Sequence, residues 1–361
     1  MKLRYLILTV AFIGSLAQAK PLYDVTPITQ DVEEMISFYH LDGASLKLLR
    51  NGTPVYSSHF GNYNGNTRVA IASASKWLSA LALARLVEKG QMSWEDTVGQ
   101  YIAAAPDDKK NIRLRQLFSH TAGMNPGEDD CLGNPFITSN NCTSQILAEP
   151  LSYPPGTTFA YGGNSMQVAG RMAELATGKT WDQIFIDEMV VPLGLQNTDY
   201  AAGSTQAGYV RVNNARIAGG VRSTLEDYSI VLAMIQNEGL HQGIRFLNKT
   251  TLDYMATDQA AGLIVGSTPF EESLGYGIGQ WREAVDYNGV AVRVSSPGAF
   301  AATPWVDKRN RIAGFFFVKD SGPRLRDEIF ALEDLANVVF SAAQKIPPPQ
   351  KPKPLGTSLP R

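Results

Sequence analysis

A serine and a lysine three residues apart, Ser73 and Lys76, are the pair in this 361-residue chain whose types and spacing best fit covalent catalysis. They stand where an apolar stretch with helical spacing begins, and side chains at i and i+3 share one face of a helix. The N–H groups and the dipole at the start of a helix favour negative charge near Ser73. A partly buried lysine has a lowered pKa and can accept the proton of a serine hydroxyl. The pair therefore predicts acyl transfer with Ser73 as the nucleophile and Lys76 beside it.

A structural role fits the same two residues, with Ser73 as a helix N-cap and Lys76 as a solvated side chain. Two fixed positions also occur together by chance in a chain of this length. No Gly-x-Ser-x-Gly motif is present, so the nucleophile elbow of the α/β-hydrolases has no candidate. The four histidines are scattered without metal-ligand spacing, and we expect neither a metal site nor a cofactor.

Strand patterns gather near both ends of the chain. Asn51-Gly52, a strong short signal for a β-hairpin, separates the first two of them. Trp305-Val306-Asp307 lies between the last two. The strand patterns cover 44–50, 54–61, 291–295 and 312–318.

Apolar residues also recur at helical spacing in five segments, three of them in the middle of the chain. Asp31 is a candidate N-cap of the first segment, and Gly90 is placed to end the second. The helical segments are 31–39, 76–89, 166–175, 225–238 and 325–343. Together with the strands they predict an α+β fold: one antiparallel sheet built from both chain ends and flanked by helices, with an inserted, mainly helical lobe.

The first 19 residues have the pattern of a secretory signal peptide. Lys2 and Arg4 precede an apolar run from 5 to about 16, and Ala17-Gln18-Ala19 supplies a small-x-small cleavage site. The run is too short to span a bilayer well, although an uncut membrane anchor is the alternative. We predict cleavage after Ala19, a periplasmic or secreted location and no stable membrane anchor.

The rest of the chain is predicted to form one domain over 20–346. Its sheet lobe covers about 20–75 and 260–346, and its helical lobe covers about 76–259. The Pro- and Lys-rich tail, 347–361, has little to bury and is predicted to be disordered.

Charge and cysteine content narrow the partners and the compartment. The formal net charge of −2 gives no reason to expect nucleic acid as a partner. Export permits a disulfide between Cys131 and Cys142, and the turn-forming residues between them allow the loop to close. We expect a structural disulfide there, with two free thiols as the alternative.

The Ser-x-x-Lys pair belongs to a longer series of segments that resembles one family. This family is the penicillin-recognising serine hydrolases: the class C β-lactamases, the D,D-peptidases and the esterases that share their fold. The resemblance extends from about Asp42 to Val318 and follows the family's order. The segments that carry it are 43–45 with the hairpin, Ser73-Ala74-Ser75-Lys76, 112–124, 155–161, 192–195 and 219–227.

The family's second catalytic element is a tyrosine on a loop, usually Tyr-x-Asn, and the matching stretch is Tyr161-Gly162-Gly163-Asn164. Gly163 stands at the usual asparagine position, so the asparagine is displaced by one residue or its role is absent. The resemblance implies that Tyr161 lies close to the Ser-x-x-Lys pair, where a phenolate and an ammonium would titrate together. Tyr161 is then a candidate base, and Asn164 a candidate substrate contact. A core tyrosine bonded to a backbone carbonyl is the alternative.

The third element, usually Lys-Thr-Gly or His-x-Gly on a strand beside the site, corresponds to Ser296-Pro297-Gly298. The Ser296 hydroxyl can only hydrogen-bond a substrate, whereas a lysine would attract a substrate carboxylate. Gly298 permits close backbone approach to a substrate. The resemblance implies an oxyanion hole formed by the N–H groups of Ala299 and Ser73. A plain turn at a strand edge is the alternative.

Three other polar residues are interpreted as structural. His120 matches a recurrent loop of the family that is not catalytic, and we expect its ring to be hydrogen-bonded. Glu128 and Asp130, which precede Cys131, are interpreted as part of a solvated loop.

The sequence thus predicts an exported serine hydrolase that forms an acyl-enzyme on Ser73. Without a cation at Ser296, a small carboxylic ester is favoured over a β-lactam or a D-alanyl peptide, since both of these carry a carboxylate. Arg293 or Arg222 would restore that charge, so a β-lactamase or D,D-peptidase is the runner-up. A non-catalytic ligand-binding or sensor protein on the same scaffold is the alternative of another class.

Overall fold

The computed structural model of the protein describes residues 23–270 and 273–342. The predicted signal peptide and the predicted disordered tail lie outside the described residues. Within the described part, no helix combines the length and the apolar character needed to cross a membrane.

The described residues form twelve strands and eleven helices. The strands are β1 (Gly43–Arg50), β2 (Thr53–Gly61), β3 (Arg68–Ala70), β4 (Thr158–Ala160), β5 (Arg222–Thr224), β6 (Leu240–His241), β7 (Ile244–Arg245), β8 (Ile264–Ser267), β9 (Trp281–Val285), β10 (Ala291–Ser295), β11 (Thr303–Asp307) and β12 (Ile312–Phe317). The helices are α1 (Thr26–Tyr39), α2 (Ser75–Glu88), α3 (Val98–Tyr101), α4 (Leu114–Phe118), α5 (Ser139–Ala148), α6 (Asn164–Thr177), α7 (Trp181–Phe185), α8 (Val191–Leu193), α9 (Leu225–Gln236), α10 (Lys249–Met255) and α11 (Gly322–Ala342). A 3₁₀ turn, Ala72–Ala74, precedes α2.

The main sheet has six strands in the order β2-β1-β12-β11-β10-β9, and every neighbouring pair is antiparallel. Strands from the first 61 residues therefore pair directly with strands from beyond residue 280, and the helices α2 to α10 lie between them in sequence. The predicted α+β fold, with one antiparallel sheet built from both ends of the chain, is confirmed.

The hairpin between β1 and β2 forms at the predicted turn. Asn51 and Gly52 both have positive φ, 51° and 73°. This is the backbone that a two-residue type I′ turn requires, and Asn-Gly adopts it at low cost.

Helices cover both faces of the sheet because its strands are apolar on both sides. On one face Leu46 and Phe316 pack with α1 and α11. On the other face Leu49 and Phe315 belong to the larger core, and Phe315 contacts Tyr228 of α9 with ring centroids 4.6 Å apart. The sheet is therefore a middle layer between helices. Strand β10, which leads into Ser296, is held within it.

Helix α2 is the central helix of the inserted lobe. Nearly every residue from Ser75 to Leu86 is buried, so the helix is apolar on all sides rather than on one stripe. A helix of this kind is stable only inside a core. Its N-terminal turn is therefore fixed in position by packing along its whole length.

Several elements differ from the sequence prediction. Helix α1 begins at Thr26, with Pro27 in its first turn, so Asp31 lies inside the helix and is not its cap. Proline suits that first turn because its missing N–H would have no partner there. Helix α9 ends at Gln236, two residues early, and strand β9 has no counterpart in the prediction.

Gly314 tests how closely the sheet layer is packed. It lies opposite Trp305 in the neighbouring strand, and a Cβ on Gly314 would stand 2.2 Å from the indole ring. We expect Gly314→Ala to destabilise the protein by about 1–3 kcal/mol, because the buried ring has to shift. Chemical unfolding followed by circular dichroism measures this. Gly203→Ala, at a site with no neighbour within 4 Å, is the control. Equal stabilities for the two variants would contradict the packing described here.

Candidate active site

Ser73 lies in the 3₁₀ turn that leads into α2, and several hydrogen bonds fix this turn. Strand β3 pairs with β5, and the N–H of Ile71 donates to Val221 O at 3.0 Å. The Ser75 hydroxyl donates to Ala72 O at 2.6 Å and accepts from the Val221 N–H at 3.0 Å. Ala72 has φ +45°, a conformation that costs a non-glycine residue about 1 kcal/mol or more. The surrounding bonds hold this strained residue, so the orientation of Ser73 is set by the backbone.

Lys76 meets Ser73 as the i, i+3 spacing predicts. Its Nζ lies 2.9 Å from Ser73 Oγ and donates at 2.9 Å to the carbonyl of Ala218. The side chain is 2% exposed. Burial lowers the pKa of Lys76 to about 7, while Glu128 acts to raise the pKa and Arg216 to lower it. Near neutral pH a substantial fraction of this amine is therefore uncharged and able to accept a proton.

Tyr161 lies beside the pair, as the resemblance implies. Lys76 Nζ stands over its ring, 4.7 Å from the centroid, and Trp281 stacks against it with centroids 5.1 Å apart. Burial raises the pKa of Tyr161, and interactions with Ser73 and Trp281 oppose that rise only in part. The predicted phenolate–ammonium pair is not the state that this environment favours. Its phenol keeps the proton near neutral pH and is suited to donate it.

The predicted oxyanion hole has the right parts. Ser73 and Ala299 line the same small cavity. The Ala299 N–H donates to no acceptor among the described residues. The Ser73 N–H belongs to the first turn of a helix, where N–H groups have no partner within the helix. Two such N–H groups, from residues that line one cavity, fit the needs of an acyl oxyanion.

Ser296 and Gly298 both lie against the segment that carries the nucleophile. Ser296 is 2% exposed, and its hydroxyl donates to Ser73 O at 3.2 Å. A Cβ on Gly298 would stand 2.2 Å from Ile71 O, so the close approach that glycine permits here is to the chain before Ser73. Gly298 also lines the cavity, whereas the buried Ser296 hydroxyl is not available as the predicted substrate contact.

Asn164 is likewise buried, at 3% exposed. Its Oδ1 accepts from the Asp129 N–H at 3.0 Å, and its Nδ2 donates to Asn125 O at 3.4 Å. These bonds tie the loop that contains residues 125–132 to the start of α6. The predicted substrate contact at Asn164 is therefore a structural one.

His120 is buried and structural, as expected, but its ring is only partly hydrogen-bonded. Nδ1 accepts from the Gly162 N–H at 3.4 Å, and Nε2 has no partner among the described residues. The ring packs against Tyr161 with centroids 4.4 Å apart. Burial, and then the charge of Lys76, hold the pKa of His120 well below its usual value. The ring is thus a neutral support for the tyrosine.

The two arginines considered as substitutes for the missing lysine are both occupied. Arg222 is 3% exposed and forms a two-point ion pair with Asp199, at 2.8 and 3.0 Å. Arg293 donates to Asp334 at 2.6 Å. Sequence reasoning missed Arg326 of α11, which lines the cavity with Ser73. No periodic or motif signal marks this residue, because it is brought to the site by the last helix.

The cavity beside Ser73 has a volume of about 130 Å³. Its walls are mainly apolar, and the Arg326 guanidinium carbon stands 4.2 Å from the ring centroid of Phe270. Two much larger grooves lie elsewhere, and the residues lining these two include no nucleophile paired with a base. The contact between Ser73 and Lys76, and not its volume, therefore identifies this cavity as the candidate active site. The other wall residues are Pro269, Pro297, Ala301, Thr303, Gly322, Pro323, Ile329 and Phe330.

The expected disulfide between Cys131 and Cys142 is present. Glu128 lies just before Cys131, so the disulfide anchors the end of the segment that carries Glu128, which forms an ion pair with Arg216. Glu128 is half exposed, as expected for a solvated loop, but its carboxylate also pairs with Arg216 and acts to raise the pKa of Lys76. Asp130 is exposed, as expected.

Comparison with known proteins agrees with the fold. The sequence profile of the Beta-lactamase family matches residues 28–337. A candidate β-lactamase from Bacteroides dorei DSM 17855 superposes with a TM-score of 0.75 and 31% identity, over 86% of this chain and 99% of that one. EstCE1, described as a hydrolase with promiscuous acyltransferase activity, superposes with a TM-score of 0.68 and 18% identity, over 84% of this chain and 97% of that one. The chain belongs to the Beta-lactamase family of serine hydrolases.

Curated relatives are more distant. Protein flp of Staphylococcus aureus strain MW2 is 23% identical over 238 residues, which cover 60% of this chain and 47% of that protein. The chain thus spans about half the length of the curated relatives it matches.

The lowered pKa of Lys76 predicts a pH dependence for the reactivity of Ser73. Protonation of Lys76 below about pH 7 removes the proton acceptor. The rate at which a fluorophosphonate modifies Ser73 should therefore fall about tenfold per pH unit below that value. Fluorophosphonate labelling that is quenched at set times, from pH 5 to pH 8.5, measures how this rate depends on pH. Lys76→Ala is the control. A rate that stays flat across this range would mean that another group accepts the proton.

Proposed function

We propose that the protein is an exported hydrolase of small carboxylic esters that acts through an acyl-enzyme on Ser73. The observation that carries the proposal is the contact between Ser73 Oγ and the buried amine of Lys76 at 2.9 Å. A nucleophile within reach of a base whose pKa is near 7 is the arrangement that covalent hydrolases need. Export is supported by the sequence pattern of the first 19 residues.

The residues suggest a complete reaction cycle. Neutral Lys76 accepts the Ser73 proton while Oγ attacks the acyl carbon, and the N–H groups of Ser73 and Ala299 stabilise the oxyanion. The ester C–O bond then breaks, and the leaving alkoxide takes a proton from the Tyr161 phenol or from the Lys76 ammonium. Water, deprotonated by whichever of these two groups gave up its proton, then attacks the acyl-enzyme. The acid leaves, and the Ser73 oxygen takes a proton from the Lys76 ammonium.

The cavity walls favour an uncharged acyl group. Apolar side chains form most of the lining, and the position of the family's lysine is taken by buried Ser296. A small acyl chain gains from contact with such walls, since burial of apolar surface contributes about 25 cal/mol per Å².

A direct assay tests the proposal. The purified protein should hydrolyse a chromogenic short-chain ester, and Ser73→Ala should lower kcat/KM at least about a thousandfold, since the variant lacks the nucleophile. A chromogenic cephalosporin measured in parallel tests the β-lactamase alternative. Ester turnover that survives in Ser73→Ala would refute the assignment of the nucleophile. A wild-type protein that neither turns over nor accepts a fluorophosphonate would be a binding protein instead.

Arg326 favours a second candidate function, the hydrolysis of carboxylate-bearing amides or β-lactams. Its guanidinium lies at the cavity wall, and no described carboxylate is within ion-pair distance of it. An arginine can hold a substrate carboxylate through two parallel hydrogen bonds. Such a contact would bind the substrate carboxylate in place of the family's lysine.

The two candidates respond differently to loss of this charge. Under the second candidate, Arg326→Gln should raise KM about tenfold for a substrate that carries a carboxylate and leave an uncharged ester unchanged. Steady-state kinetics on a matched pair of esters, with and without a terminal carboxylate, measures the difference. Arg324→Gln is the control, because Arg324 is on the same helix but pairs with Asp320 outside the cavity. If the wild type and Arg326→Gln have the same KM for the carboxylate ester, uncharged esters remain the substrate class.

A further inference from the structure

Glu128 stands where the family's asparagine would project. A Cβ added to Gly163 would lie 3.3 Å from Glu128 Oε1 and 3.6 Å from Ala218 Cβ. Gly162 allows the approach as well, because a Cβ there would meet Pro126 O at 2.4 Å. The two glycines after Tyr161 therefore make room for the loop that brings Glu128 to the site.

The loop that carries Glu128 is fixed on both sides. The disulfide Cys131–Cys142 ties it to α5. Its Asp129 N–H donates to Asn164 at 3.0 Å, and Asn214 Nδ2 donates to Cys131 O at 2.8 Å. The position of the carboxylate is therefore built into the fold.

The partner of Glu128 is linked to the catalytic lysine by a short stretch of chain. Arg216 binds the Glu128 carboxylate, and its carbonyl accepts the N–H groups of Gly219 and Gly220 at 3.1 and 2.7 Å. Inside this turn lies Ala218, whose carbonyl accepts the hydrogen bond from Lys76 Nζ at 2.9 Å. One tight turn thus carries both the arginine and the acceptor that holds the lysine.

We infer that Glu128 and Arg216 form a positioning pair, one anionic and one cationic, that fills the place of the missing asparagine and acts on the Lys76 amine held by the same turn. The inference rests on the proposed function in that Lys76 is taken as the base. Glu128 favours the ammonium form and Arg216 the neutral form. The other groups that face Lys76 are the Tyr161 phenol and the neutral His120 ring.

Charge-neutral variants separate this role from a structural one. Loss of the Glu128 carboxylate in Glu128→Gln should move the titration midpoint of Lys76 about half a pH unit lower. Loss of the Arg216 charge in Arg216→Gln should move it higher by a similar amount. Both variants break the same ion pair, so a purely structural role predicts the same effect for both. The double variant should return close to the wild-type midpoint.

Two readouts on the full chain complete the test. NMR of protein labelled with [13Cε]lysine, with Lys76→Arg for assignment, reports the titration directly. The acid limb of fluorophosphonate modification of Ser73 should shift in the same direction as the NMR midpoint. Asp130→Asn removes an exposed carboxylate from the same loop and is the matched control, with no shift expected.

The outcomes distinguish the inference from the function on which it rests. Midpoints of Lys76 that stay together in all variants, or that move in the same direction in both single variants, overturn the inference. NMR shifts in opposite directions support it even where Ser73 proves unreactive, and that lack of reactivity would overturn the proposed function alone. NMR shifts without a matching change in the acid limb would overturn the assignment of Lys76 as the base.

Discussion

Burial of one amine is the constraint on which the rest of the site depends. Water stabilises an ammonium ion far better than a protein interior does, so a lysine at 2% exposure has a lowered pKa. The structure offsets part of that cost with the Ala218 carbonyl, the Tyr161 ring and the Glu128 carboxylate. Each comes from a different segment, and each must be held rigidly. The all-round apolar helix α2 and the sheet behind it provide that rigidity.

Much of this arrangement was predictable because local chemistry dictates it. The Asn-Gly turn, the strand patterns at both ends of the chain and the i, i+3 spacing of Ser73 and Lys76 each depend only on residues close together in sequence. Strand β9 escaped prediction because Arg282 and Glu283 interrupt its apolar pattern. Arg282 pairs with Asp258 at 2.8 Å, and Glu283 accepts a hydrogen bond from Ser295 of the neighbouring strand β10. A single sequence does not reveal such pairs.

The site residues divide along the same line. Ser73, Lys76 and Tyr161 come together as expected, because a motif or a resemblance marks each of them. Ser296 and Asn164 occupy positions next to motif residues, yet their polar atoms are used by backbone groups. Arg326 and Glu128 belong to no motif. Arg326 is brought to the site by the last helix, and Glu128 by the segment that ends at the disulfide-bonded Cys131. Sequence identifies chemistry within one segment, whereas the partners that tune it depend on tertiary packing.

The central position of β12 in the sheet links assembly of the fold to assembly of the site. β12 joins β1 to β11, and the Ser296 hydroxyl reaches Ser73 O across 223 residues of sequence. Contacts between residues so far apart in sequence are slow to form, because a long loop has to close first. A partly synthesised chain therefore has the nucleophile but neither its anchoring bond nor the Ala299 N–H. Completion of the sheet and assembly of the candidate site therefore depend on the same long-range contacts.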